Sequence, residues 1–193
     1  MNTTPTHGPT IIILIGSTRE GRAGKGIADW CARVADDRAR CRVDVVDLAD
    51  FGFPARHPAR PDAEISRLNS RFRQADGFIV VTPEYNHGYP ASLKQAIDYA
   101  YEEWFAKPVA FVSYGADAHG LRAVEQLRTV FSSLHAMPLA AGLSFGVFDG
   151  TLDSSGKPRD ESAALLAAKT MLSHLLWWAT ALRAARGATP YPA

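Results

Sequence analysis

Apolar residues along the chain follow two alternating rhythms. Short unbroken runs, Ile11 to Ile15 (IIILI), Gly77 to Val81 (GFIVV) and Pro108 to Ser113 (PVAFVS), sit between longer stretches where apolar residues return every three or four positions. The short runs have no polar alternate, so they predict strands covered on both faces, and the longer stretches predict amphipathic helices. Strands are expected at 11–15, 42–47, 77–81, 108–113 and within 139–147. Helices are expected at about 25–38, 63–74, 91–104, 121–133 and 161–185, with Ile27, Trp30, Cys31 and Val34 on one face of the first. Residues 48–61, with three prolines, Gly52 and several aromatics, read as a surface-packed loop, and 149–158 as a turn-rich stretch. Five such units bury parallel strands only under helices on both sides, which predicts an α/β, doubly wound, five-stranded parallel sheet of order 2-1-3-4-5.

Two loops in this plan carry chemistry. The first strand runs directly into Gly16-Ser17-Thr18-Arg19-Glu20-Gly21-Arg22-Ala23-Gly24-Lys25. Glycines let amides approach an anion, Ser17 and Thr18 offer hydroxyls, Arg19, Arg22 and Lys25 bring charge, and a helix starting near Gly24 adds its positive end. Glu20 is expected to point away. The spacing is neither GxGxxG nor GxxxxGK[ST], which leaves a phosphate cradle and a plain helix entry both open. The second loop, TPEYNHGYPASLKQAID from Thr82, is expected to end its strand at Pro83, loosen at Gly88 and start a helix after Pro90. It exposes Glu84, Tyr85, Asn86, His87 and Tyr89, a setting for a planar ring stacked on tyrosine, although packing at a chain interface suits Tyr85 and Tyr89 equally.

The ordered set GSTREGRAGKGIADW, TPEYNHGYPASLKQAIDY and SYGADAHGLRAVEQLR resembles the NADPH-dependent FMN reductase family of flavodoxin-like proteins, over roughly residues 11 to 135. The resemblance implies bound FMN and NADPH or NADH as co-substrate, with electrons passed to quinones, free flavins or similar small acceptors. By that resemblance Ser17, Arg19, Arg22, Gly24 and Lys25 hold phosphate. Pro83, Glu84, Tyr85, Asn86 and Tyr89 carry the ring, and Ser113, Tyr114, Gly115 and Gly120 close over its pyrimidine end. The third motif departs from the family, with Ala118-His119-Gly120 where Ser-Gly-Gly is common. That favours backbone contact at Gly115, Ala116 and Gly120 over side-chain contact. In an open α/β sheet these loops meet where the winding reverses, between strands one and three. Hydride transfer between stacked rings needs positioning rather than a protein nucleophile, so no catalytic residue and no metal is assigned. His87 and His119 are candidate proton donors, each weighed against an ordinary solvated imidazole. No GxSxG elbow accompanies Ser17.

Composition narrows the setting. The chain has 193 residues, 47% of them hydrophobic, enough for one domain, here placed at 10–186 between a disordered leader (1–9) and tail (187–193). A formal net charge of +1 gives no electrostatic case for nucleic acid or an anionic membrane. Cys31 and Cys41 lack CxxC spacing and read as reduced core residues in a cytoplasmic protein without a secretory signal. Tyr99, Tyr101, Trp104 and Phe105 are more aromatics than one helix face can bury and mark an expected homodimer or homotetramer surface. Trp177 and Trp178 are divided between core and interface. Lys94 and Asp98, one helical turn apart, form an expected surface pair. An FMN-containing electron carrier, or a redox sensor without turnover, stays open beside the reductase.

Overall fold

Every side chain from Ile11 to Ile15 is buried, and their alternation decides the layering. Ile11, Ile13 and Ile15 face one core, and Ile12 and Leu14 face another. This strand, β1 (Thr10–Ile15), lies inside a five-stranded sheet of order β2-β1-β3-β4-β5, with β2 (Arg42–Asp47), β3 (Gly77–Pro83), β4 (Pro108–Gly115) and β5 (Met137–Gly146). All four pairings are parallel, so neither face can be left to water. The first core is closed by α1 (Gly24–Arg38) and α5 (Glu161–Ala188), the second by α2 (Ala63–Gln74), α3 (Ala91–Asp98) and α4 (Leu121–Ser133). This computed structural model describes residues 8–38 and 41–192; most of the expected leader lies outside them.

Three expectations change. The helix expected over 91–104 stops at Asp98, and a separate 3-10 turn forms at Glu102–Trp104. Trp104 forces the break: its indole Nε1 donates to the Ile97 carbonyl at 3.1 Å. Two further turns of helix would carry that ring about 10 Å along the axis, out of reach. Folded back, Trp104 is fully buried against Phe72, Phe78 and Phe131. Tyr99 and Phe105 are also buried, the first on Phe53 and His57, the second on His135 and Tyr191. Only Tyr101 of the four stays exposed, which removes this cluster as an association surface. Finally, β3 and β4 run past their expected ends, because the Glu84 amide donates to the Tyr114 carbonyl (3.0 Å) and the Val147 amide to Gly115 (2.9 Å). Residues 187 and 188 continue α5, and Tyr191 packs on Phe105 and His135. The pair Lys94–Asp98 forms at 2.5 Å.

Away from that end of the sheet, Lys107 is buried and its Nζ donates to the carbonyls of Phe72 (2.8 Å) and Arg73 (3.3 Å), in the last turn of α2. Burial, with Arg186 nearby, pushes its pKa down to about 8. The unfolded chain keeps that proton to about pH 10.5. Between these values the unfolded state binds more protons, so raising the pH stabilises the fold. Urea denaturation of the wild type and Lys107→Met should therefore show a gain on the order of 2 kcal/mol between pH 8 and 10.5 in the wild type that the variant lacks. Equal pH slopes would show that Lys107 titrates normally.

Candidate functional site

The loop after β1 is fixed at its root before it offers anything to a ligand. The Gly16 amide donates to Val81 at 2.9 Å, Ser92 Oγ donates to the Gly16 carbonyl at 2.8 Å, and a Cβ at Gly16 would press on Leu93 at 3.0 Å. Ser17 is wholly buried, its Oγ accepting the Arg19 amide (3.3 Å) and lying 2.8 Å from the Tyr85 hydroxyl. The chain reverses at Gly21 (φ +67°), and α1 starts at Gly24 with no carboxylate in its first turn. That leaves the positive end of α1 uncompensated by its own sequence.

The three cations of this loop are unequal. Arg22 forms an ion pair with Asp47 at 2.5 Å, and Lys25 an exposed one with Asp29 at 2.8 Å. Arg19 is exposed, and among the described residues no carboxylate pairs with it. Among the described residues, two of the three buried side-chain polar atoms left without a partner, Arg22 Nε and the Tyr114 hydroxyl, belong to this cradle. Such atoms are rare in folded proteins and ask for a ligand. Burial first, then Tyr85, push the Tyr114 phenol well above its ordinary range, so it stays protonated and can donate.

The second loop is a tight hairpin. Tyr85 and Gly88 exchange both backbone hydrogen bonds (2.8 and 3.0 Å) around Asn86 (φ +49°) and His87 (φ +67°). Positive φ at both central residues is the type I′ geometry, which Asn tolerates and His accepts at a cost. The loop is held from α4: Gln126 Nε2 donates to the His87 carbonyl at 2.8 Å, and Glu84 accepts the Arg122 amide (3.2 Å) and pairs with its guanidinium (2.5 Å). Glu84 thus supplies an ion pair and a ladder hydrogen bond, and it also takes up the amide of Arg122 near the start of α4. Asn86 is exposed at the tip, and Tyr89 is half-buried beside the second core, ahead of Pro90, where α3 begins.

The third loop is folded upon itself. Ser113 is fully buried and its Oγ donates to the His119 carbonyl at 2.8 Å. Gly120 (φ +86°) lies so close that a Cβ there would sit 2.6 Å from Ser113 Cβ; one at Gly115 would sit 2.9 Å from the Gly120 amide nitrogen. Ser113 and Gly120 therefore shape the loop and do not themselves present side-chain contacts. His119 (φ +51°) turns its Nε2 to Asp149 at 3.0 Å. Among the described residues, no carboxylate pairs with the His87 imidazole. Cys31 is buried with its thiol pushed up to about 12, and both cysteines are free. Among the described residues no acid–His–Cys group could hold a metal.

Sequence reasoning missed a fourth participant, residues 149–158. This segment joins the third loop through Asp149 and lies on the cradle, where a Cβ at Gly156 would meet the Ala23 carbonyl at 2.4 Å and one at Gly26 the Ser155 carbonyl at 1.7 Å. Its turn-rich composition signalled a loop, but nothing in it signalled a destination. A separate groove of about 590 Å³ runs between β5, this segment and the first turns of α5, with Leu143, Phe145, Thr151, Arg159 and Ala164 in its wall. Gly26→Ala should lower the urea-unfolding free energy by about 2 kcal/mol or more and loosen the cradle, since the added methyl meets backbone that cannot move alone. An unchanged midpoint would mean that 153–157 is not seated there.

A dianion bound at Ser17, Arg19 and the start of α1, continuing into a flat group along the second loop, fits this donor set. Known proteins point the same way. The profile described as NADPH-dependent FMN reductase matches residues 9–149. An NAD(P)H-dependent FMN reductase of Schizosaccharomyces pombe is 36% identical over 58% of this chain and 60% of its own length. A quinone reductase of Pseudomonas putida is 28% identical over 82% of this chain and 89% of its own. The flavoenzyme FerB of Paracoccus denitrificans, an NAD(P)H:(acceptor) oxidoreductase, superposes with a TM-score of 0.72 at 21% identity, covering 89% of this chain and 97% of its own.

Proposed function

The chain belongs to the NADPH-dependent FMN reductase family, which works on FMN with NAD(P)H as electron donor, and we propose that it carries hydride from NAD(P)H to FMN held at this rim and on to a quinone or free flavin. The observation that carries the reading is Arg19: exposed on the cradle, without a carboxylate among the described residues, and two residues beyond the buried Ser17, whose hydroxyl meets that of Tyr85. Bound FMN supplies the hydride-accepting and electron-releasing chemistry. The protein's part is placement. Ser17, Arg19 and the α1 amides hold the phosphate, and Arg22 offers its unpartnered Nε. The hairpin at Glu84–Gly88, fixed by Arg122 and Gln126, gives the ring a wall that does not move during turnover. Gly115 and Ala116 bring backbone to the pyrimidine end, and Ser113 with Gly120 keeps that backbone in place. Hydride transfer between stacked rings requires positioning and no protein nucleophile.

Association as a homodimer or homotetramer forms part of the proposal. Its support has moved from the Tyr99–Phe105 cluster to the outer face of α5, where Leu166 and Trp177 are 68% and 64% exposed. Two free cysteines accord with a cytoplasmic setting. Among the described residues no helix is long and apolar enough to cross a membrane.

Anaerobic NADPH or NADH added to the FMN-loaded protein should bleach the yellow flavin band rapidly, and a quinone should restore it. Bleaching no faster than for free FMN would leave a carrier or sensor. Arg19→Ala should weaken FMN binding by about 1.5 to 3 kcal/mol, roughly tenfold or more, with riboflavin affinity unchanged in flavin-fluorescence titrations. Undiminished FMN affinity would remove Arg19 from the phosphate.

A further inference from the structure

Tyr114 comes from the end of β4, in the loop expected to close over the pyrimidine end of the flavin, yet its phenol is elsewhere. The residue is 5% exposed, and its hydroxyl lies 2.7 Å from where a Cβ on Gly24 would stand, at the first residue of α1. Ser17 and the Gly24 peptide lie against it and ease its ionisation, as does the Arg22 charge, yet none completes a hydrogen bond of ordinary geometry with the phenol oxygen. Ser17 Oγ instead lies 2.8 Å from the Tyr85 hydroxyl and accepts the Arg19 amide at 3.3 Å. A protonated phenol, deeply buried, unpartnered and pressed to a helix N-terminus beside a second orphaned donor, Arg22 Nε, is a donor waiting for an anion.

We propose that Tyr114 is a phosphate ligand: its hydroxyl, flanked by Ser17 and Tyr85, forms the floor of the cradle and donates to the FMN phosphate, so that β4 reads the phosphate end and only its following backbone reads the ring. This rests on the FMN reading above. It also accounts for Gly24, since any side chain there would displace the phenol. Tyr85 gains a second duty. Its hydroxyl reaches the cradle while its backbone anchors the hairpin, so the phosphate and ring halves of the site share one side chain.

The test compares FMN with riboflavin, which lacks the phosphate, on the wild-type chain, Tyr114→Phe and Ser17→Ala, reading dissociation constants from flavin fluorescence, with inorganic phosphate as competitor. Tyr114→Phe should weaken FMN binding about tenfold or more, leave riboflavin binding unchanged and reduce competition by phosphate; Ser17→Ala should act in the same sense. Unchanged FMN affinity in Tyr114→Phe overturns the assignment and leaves the FMN reading standing. Equal losses for FMN and riboflavin, or a variant that binds neither, overturn it by making Tyr114 a supporting residue. A wild-type chain that binds neither flavin overturns the functional reading as well.

Discussion

The site depends on β1 being covered on both faces. A strand whose consecutive side chains are all buried can lie only inside the sheet, and the chain must then add strands to either side of it. Winding to β2 on one side and β3 on the other opens a crevice at the carboxyl ends of β1 and β3, the one place where a ligand can reach backbone without displacing a helix. A polar residue within Ile11–Ile15 would injure one of the two cores, whichever its side chain faces, and the crevice with it. The cradle, the hairpin and the β4 loop are positioned by this one strand before any of their own contacts are counted.

Contacts between loops then turn a crevice into a shaped site. They are made of backbone brought close. Gly16 lies on Leu93, Gly24 on Tyr114, Gly26 on Ser155, Gly156 on Ala23 and Gly120 on Ser113. Each is a place where a methyl group has no room, so these approaches are geometric requirements and not generic flexibility. Hydrogen bonds from α4 to the hairpin serve the same end: Arg122 and Gln126 are surface side chains of a helix, and they hold the two central residues of the turn at positive φ. Strain of that kind persists only where surrounding structure over-determines it.

Much of this was legible in the sequence. Unbroken apolar runs gave the strands and their order, and the motif loops fell at the rim where topology required, because strand burial and helix periodicity are local properties written in consecutive residues. What could not be read is long-range. Trp104 breaks its helix for a hydrogen bond to Ile97 and a place among Phe72, Phe78 and Phe131, and no local pattern distinguishes that ring from one on a surface. Residues 149–158 read correctly as turns, but their seat on α1 depends on Gly26 and Gly156 meeting across more than a hundred residues. Ser113, read as a cofactor contact, also donates to the His119 carbonyl, and the Tyr114 hydroxyl lies against Gly24 at the start of α1, two long-range contacts that no local pattern signals.

Charge in the cradle follows a similar logic. Counting Arg19, Arg22 and Lys25 suggests a strongly positive loop, but three cations beside a helix N-terminus repel one another when no anion is present. Asp47 neutralises Arg22 and Asp29 neutralises Lys25, leaving Arg19 as the cation without a carboxylate. The loop is thereby relieved of self-repulsion. The cost is that less net charge remains to attract a phosphate dianion, and directed donors must supply what charge alone does not. Hydroxyls and amides in a buried, low-dielectric floor do this well, because each is worth more there than at the surface and none repels its neighbours. If the cradle takes a phosphate as proposed, one arginine without a carboxylate and the neighbouring buried hydroxyls would select for geometry, a terminal phosphate at a fixed depth, more than for negative charge as such.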